Sequence, residues 1–291
     1  AERRALGLLK EIPDLQTLEI GPMPPDDQEA LVRDLLRVEP GLARSVQERS
    51  GGSPLFAIQI VEDWVRRGVL QPGENGFCLP AGEATALPDS IHEVWQDRLT
   101  QAIEGLGEDA GRALAIAAAL GMEVEDEDWQ GACAALNASP PAGLIGRLVS
   151  NGLAETRTLG WTFAHGMLRE SIERATGENW AEINRGCANM LAGRSPRPGI
   201  SERIGRHLVA AGDTEGSLAP LLDGAWESIR LGHYHRASDL LELRHQMLAD
   251  IGLTETDHRW GEGWNAQCLV YLSLRNLEAG EALATRFADS A

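Results

Sequence analysis

Residues 207–241, HLVAAGDTEGSLAPLLDGAWESIRLGHYHRASDLL, contain two turn signals of one kind, Ala210-Ala211-Gly212-Asp213 and Arg230-Leu231-Gly232-His233-Tyr234. Each closes an apolar helical run with a glycine, which can leave the helix at positive φ, and then restarts a helical pattern. A third signal, Leu272-Ser273-Leu274-Arg275-Asn276, lies further on. These are the turns of stacked helical hairpins, spaced too irregularly for a strict 34-residue repeat. Residues 199–291 are therefore expected to form antiparallel hairpins with Ala211, Leu231, Ala237, Leu240, Leu241 and Leu272 inward. Trp226, Trp260 and Trp264 are read as packing residues rather than a ligand cage.

Upstream of this array, helical periodicity still dominates, with small strand signals interleaved. Leu15–Ile20 reads as a short strand. Pro24-Pro25-Asp26-Asp27 opens a pair of short helices carrying Ala30, Leu31, Leu35, Val38, Leu42 and Val46. A further helix runs from Pro54 to Arg67, followed by a hairpin around Gly73-Glu74-Asn75-Gly76. A new block opens at Leu87-Pro88-Asp89-Ser90, with helices expected at 90–104 and 108–120, the second rich in alanine. The acidic run Glu123, Glu125, Asp126, Glu127, Asp128 precedes Trp129. It reads as charge complementing a helix N-terminus rather than as a metal site. Between 139 and 165 the pattern is helix, strand (Leu153–Thr156), turn at Leu159-Gly160, strand (Trp161–Phe163). Three helices with a two-stranded wing make a winged-helix pattern.

Composition removes several function classes. The chain has 291 residues and a formal charge of −18, a balance opposed to duplex DNA or anionic membrane as partner. Between Ser139 and Gly160 the charged residues are Arg147, Glu155 and Arg157, too little positive charge for a duplex reader. Lys10 is the single lysine and lies outside any Gly-x-x-x-x-Gly-Lys-Ser/Thr loop, so no phosphate loop of that type is present. Cys78, Cys133, Cys187 and Cys268 are scattered, as expected of buried thiols in a reducing cytoplasm. The seven histidines form no ligand cluster, and His233-Tyr234-His235 falls in a helical-hairpin turn. No nucleophile elbow appears. Neither a catalytic residue nor a metal site is expected, and an enzyme is not. Ala1-Glu2-Arg3-Arg4 reads as the middle of a helix, so the chain is expected to be a piece of a longer protein.

Two stretches are more specific. One is Ser50-Gly51-Gly52-Ser53-Pro54-Leu55-Phe56, and the other is Phe163-Ala164-His165-Gly166-Met167-Leu168-Arg169-Glu170. With Leu87–Ile91 and Asp97-Arg98-Leu99 they occur in an order that resembles the C-terminal half of the STAND-class, AAA-related signalling ATPases. Such proteins occur in LuxR-type regulators and in kinase- or cyclase-linked chains. The resemblance covers nearly the whole sequence. It implies the tail of a nucleotide-binding domain at 1–22, a small helical lid domain at 23–86, a winged-helix domain at 87–195 and a TPR-like arm at 196–291.

In that family a Gly-x-Pro motif lies against adenine, which maps onto Gly52, Ser53 and Pro54. A Met-His-Asp motif places its histidine on the β-phosphate of ADP; here it reads Ala164-His165-Gly166, with only the histidine kept. The implied function is regulatory: a parent protein binding ATP or ADP with Mg, an arm sensing a protein partner or small ligand, and no membrane. Two plainer readings stand beside it. Turn chemistry alone makes Gly51–Pro54 a helix start without a ligand and lets His165 cap the wing junction. The whole chain would then be a helical-repeat scaffold for protein partners that binds no nucleotide.

Overall fold

The computed structural model describes residues 21–35, 37–73, 76–79 and 91–290. The expected strand at Leu15–Ile20, the domain tail at 1–22 up to residue 20, Lys10 and the helix start at Leu87–Ser90 lie outside them. The chain is mainly α with helical repeats, and small antiparallel sheets interrupt the helices. No described helix is long and apolar enough to cross a membrane. The chain divides into two compact units, residues 1–104 with 165–171, and residues 105–164 with 172–291.

The first unit is built from α1 (Pro25–Ala30), which continues as a π-helical turn over Leu31–Leu35, then α2 (Pro40–Ser50) and α3 (Pro54–Arg67). A hairpin of β1 (Gln71–Gly73) and β2 (Gly76–Cys78) and the helix α4 (Ile91–Ile103) follow. Proline stands at the start of α1, α2 and α3, where its missing N–H has no helical acceptor to lose. The apolar stripe of α3, with Phe56, Ala57, Ile60, Val61 and Trp64, packs on Val32, Val38, Leu42, Ala43, Val46 and Val94. The hairpin is tied on through Arg37 and Glu39: Phe77 N–H donates to Arg37 O (2.8 Å), and Glu39 N–H donates to Phe77 O (3.0 Å).

The second unit opens with α5 (Asp109–Leu120), β3 (Glu123–Glu125), α6 (Asp126–Ala135), α7 (Leu144–Ser150), β4 (Ala154–Arg157) and β5 (Gly160–Phe163). The sheet has three strands, antiparallel, in the order β3-β5-β4, where the sequence pattern suggests two. Strand β3 is hidden in the acidic run: Val124 is buried while Glu123 and Glu125 face outward, and Val124 pairs with Trp161. The alanine-rich α5 is buried at Ala110 and continuously from Ala113 to Ala118. At Gly160 the sheet allows no side chain, because a Cβ there would fall 2.0 Å from Val124 O.

Helix α8 (Gly166–Thr176) runs on into α9 (Asn179–Ala192), α10 (Ile200–Ala210), α11 (Thr214–Arg230), α12 (Tyr234–Asp250), α13 (His258–Ser273) and α14 (Leu277–Ser290). The turns fall where the sequence signals place them. Helices α10 and α11 approach closely because each offers a glycine: Gly205 faces Leu221, and Gly224 faces the Glu202 backbone. Ala237, Leu240 and Leu241 are fully buried and Ala211 nearly so, as expected, and Trp260 and Trp264 join the same core. Leu231 and Leu272 are exposed, at 55% and 60%, contrary to expectation. Leu231 is the residue after the last turn of α11, and Leu272 lies in the last turn of α13, where the next helix has already turned away. Arg244 crosses this core, its guanidinium donating to Leu218 O, Arg259 O and Glu262.

Two glycine replacements separate steric need from conformational need. Gly160→Ala should lower the stability of the second unit by about 3 kcal/mol or more, since backbone must move. Gly212→Ala, at φ +71° in open space, should cost only about 1–2 kcal/mol. Denaturant midpoints of the two variants check this, and equal losses would contradict it.

Candidate functional site

The Gly51–Pro54 turn uses each of its residues locally. Gly51, at φ +55°, ends α2 with its N–H on Gln47 O. Gly52, at φ +84°, accepts from Met23 N–H at 2.9 Å, and a Cβ on it would lie 2.5 Å from Pro22 Cβ. The close approach permitted by this glycine is therefore filled by the chain's own Pro22. Ser53 caps α3, its hydroxyl accepting from Phe56 N–H at 3.3 Å, and Pro54 is the first helical residue.

His165 stands between the last strand, β5, and the first turn of α8. Its carbonyl accepts from Leu168 N–H (3.1 Å), so the backbone, rather than the ring, caps the helix. The ring is exposed and makes no hydrogen bond among the described residues; its centroid lies 5.4 Å from that of Trp95. No hydrogen bond or ring contact joins His165 directly to Gly52, Ser53 or Pro54 among those residues. Although adjacent in sequence to the strands, which lie in the second unit, His165 groups with the first unit, which holds Gly52–Pro54.

Helix α4 stands between these two segments. His92, Trp95 and Arg98 recur at intervals of three and share one face of it. Ser171 Oγ donates to Met167 O, which leaves it to accept from His92 Nδ1–H at 2.7 Å. Trp95 is fully buried, and its Nε1–H has no acceptor among the described residues. The Arg98 guanidinium carbon lies 4.5 Å from the Trp95 ring centroid, a cation–π contact. Arg98, itself buried, donates to Gln59 Oε1 on α3 and stands 3.9 Å from Glu62, which also accepts from Gln59 Nε2 at 3.0 Å. The sequence singles out Arg98 within Asp97-Arg98-Leu99 but not His92 or Trp95, whose signal is the three-residue spacing of an imidazole, an indole and a guanidinium.

The acidic run holds a second assembly. Glu125, Asp126, Glu127 and Asp128 do sit at the start of α6, as dipole complementarity asks, but the Asp128 side chain is only 2% exposed. It accepts from Arg197 and from Arg203 (2.7 Å), with Arg194 at 3.8 Å. Arg194 also pairs with Glu127, and Arg197 with Glu125. Beside it, a groove of about 490 Å³ is lined by Leu120, Glu123, Glu125, Leu159, Trp161 and Arg203, among others. Nearby, His207 is buried and donates Nδ1–H to Asn184 Oδ1 (2.8 Å), and Asn184 Nδ2 donates to Trp180 O. Burial, helped by Arg203, holds the His207 pKa down at about 4. Burial also pushes the Cys133 and Cys187 thiols up to about 12, so at neutral pH both stay protonated and poorly nucleophilic.

No family model and no curated protein matches the chain. Among solved structures it is similar to a Signal Transduction ATPase with Numerous Domains (STAND) protein with a tetratricopeptide repeat sensor from Pyrococcus horikoshii. The identity is 16% and the TM-score 0.37, over 92% of this chain and 41% of that one. The chain thus spans about two fifths of that structure's length.

Two measurements test the electrostatics. Asp128→Asn leaves the arginines facing each other and should cost about 2–4 kcal/mol, discounted for their partial exposure. A loss below 1 kcal/mol would show that the carboxylate holds little. For His207, the folded imidazole stays neutral down to about pH 4, while the unfolded one binds a proton near pH 6.5. Its contribution is therefore complete above pH 6.5 and is lost as the pH falls towards 4, at about 1.4 kcal/mol per pH unit. His207→Gln should flatten the fall in melting temperature between pH 6.5 and 4.5, and an unchanged slope would refute the assignment.

Proposed function

We propose that the chain is the regulatory segment of a nucleotide-switched signal-transduction ATPase of the STAND class. In this reading residues 1–22 end a nucleotide-binding domain, 23–86 form the helical lid, 87–195 a winged-helix domain and 196–291 a TPR-like sensor arm. The phosphate loop and its Mg-bound ATP or ADP belong to the parent protein, which works in the cytoplasm. Gly52, Ser53 and Pro54 lie against adenine, and His165 donates to the ADP β-phosphate. The arm takes a protein partner or small ligand, and the winged helix packs instead of reading DNA. The segment itself performs no catalysis.

The observation that carries this reading is the placement of residues 165–171. They leave the strands that precede them and join the unit that contains Gly52–Pro54. A lid that senses one nucleotide through two separate motifs needs that grouping. The helix–strand–helix–helix–strand–strand order of α5 to β5, with β3 on the edge beside β5, supports the winged-helix assignment. The rival scaffold reading draws support from Gly52 and Ser53, whose geometry the fold already explains through Pro22 and the α3 cap.

Calorimetry separates the two. The present chain should show no micromolar binding of ATP or ADP with Mg, because the phosphate cradle is absent from it. A chain extended upstream through the phosphate loop should bind ADP, and His165→Ala should loosen it about 10- to 100-fold, one charged hydrogen bond's worth. Absence of ADP binding by the extended chain would leave the scaffold. Unchanged affinity with a lowered melting temperature would make His165 structural.

A further inference from the structure

We infer that Trp95 and Arg98 are positioning residues that mechanically couple the start of α3 to His165. The inference rests on the nucleotide reading only in calling those two ends a lid; the coupling itself requires no nucleotide. Residues 52–54 and 165 are more than a hundred positions apart in the chain, and no hydrogen bond or ring contact joins them among the described residues, so their coupling would pass through what lies between. Helix α4 supplies that path through a short series of contacts. His165 abuts the Trp95 ring, Arg98 lies over the same ring, and Arg98 donates to Gln59, little more than one turn beyond Pro54.

Each contact is of a kind that resists sliding. Trp95 is a rigid plane with no exposed surface, and shifting it would disturb a packed interior. Arg98 is a buried cation, and moving it away from the indole face and from Gln59 and Glu62 would leave its charge poorly compensated. A guanidinium both stacks and donates in its own plane, so one side chain fixes a distance and an orientation. Three residues below, His92 holds Ser171, so α4 grips the 165–171 segment at two points instead of one. That second grip makes the Trp95–His165 distance a fixed property of the unit. Displacement of His165, as when it engages an anion, is then passed to Trp95, to Arg98 and to the first turns of α3.

Amide hydrogen exchange on the present chain tests this without any nucleotide. His165→Ala should speed exchange at residues 56–60 about 5-fold or more, while amides of α2 stay unchanged. Trp95→Phe keeps an aromatic ring and should pass most of the effect; Arg98→Met keeps the aliphatic stem but removes the guanidinium. In a cycle, His165→Ala added to Arg98→Met should produce no further acceleration at 56–60, because the path is already cut. Additive changes, or no change with His165→Ala alone, would overturn the coupling. Acceleration spread evenly over α2 and α3 would also overturn it, as general destabilisation. If Arg98→Met does not fold, Arg98→Lys retains a charge but loses the planar fork, and the same cycle is read with it. Should the extended chain fail to bind ADP, these exchange results are unaffected, so failure of the nucleotide reading and failure of the coupling are distinguishable.

Discussion

Asp128 is the carboxylate on which the second unit closes. A buried anion costs several kcal/mol unless it is paired, and here the partners come from one stretch: Arg194 and Arg197 in the connection before α10, and Arg203 within it. That stretch is where the chain leaves the sheet-containing part and begins the hairpin array. The array is consequently anchored on α6, and β3, α6 and the start of α10 hold a common register. Three guanidiniums around one carboxylate would repel one another, and Glu125 and Glu127 offset two of them at the rim. Three members of the acidic run, Glu125, Glu127 and Asp128, thus form half of a charge-balanced cluster whose other half, Arg194, Arg197 and Arg203, lies some seventy residues downstream.

The same economy explains how the positive charge is used. Nearly every basic residue is arginine, and many are held by the fold's own acceptors: buried Arg98 on Gln59 and Glu62, buried Arg244 on two carbonyls and Glu262, and half-exposed Arg206 and Arg236 on buried Glu202. A guanidinium can serve two or three acceptors in one plane, which a lysine ammonium on a flexible stem does less well. Positive charge consumed by internal carboxylates is not displayed. Each such pair cancels in place, so the formal charge of −18 is carried by the acidic groups that these arginines leave uncompensated.

The array was legible because its punctuation is local. Glycine at positive φ followed by a capping Asp213, or by His233, states a turn within four residues, and Pro54 and Ser53 state a helix start in two. What depends on distant partners was not legible. Glu123-Val124-Glu125 is too short and too charged to read as a strand until Trp161 and Gly160 are seen beside it. Leu231 and Leu272 keep the helical phase of core residues, yet the chain turns before anything can cover them. Burial of Asp128 cannot be inferred from the three acids that precede it, Glu125, Asp126 and Glu127, all of which are exposed. At the candidate site the sequence marks the two ends and a helix at 90–104 with its Asp97-Arg98-Leu99 stretch, but not the contacts of that helix, because Trp95 and Arg98 gain meaning only from Gln59 and His165.

That missing piece bears on how a two-part site can work at all. Gly52–Pro54 is held tightly, by Pro22 on one side and the Ser53 cap on the other, whereas the His165 ring is exposed and hydrogen-bonded to nothing described. One end is fixed and the other is available. A sensor built this way does not need both parts to move. In the proposed reading the exposed imidazole would take up the ligand, and the displacement would reach the first turns of α3. A soft intermediary would absorb that displacement in side-chain rearrangement. An indole with no exposed surface, in contact with an imidazole and a buried guanidinium, has little freedom to do so. The Trp95 Nε1–H, buried and without an acceptor among the described residues, is the cost of that placement.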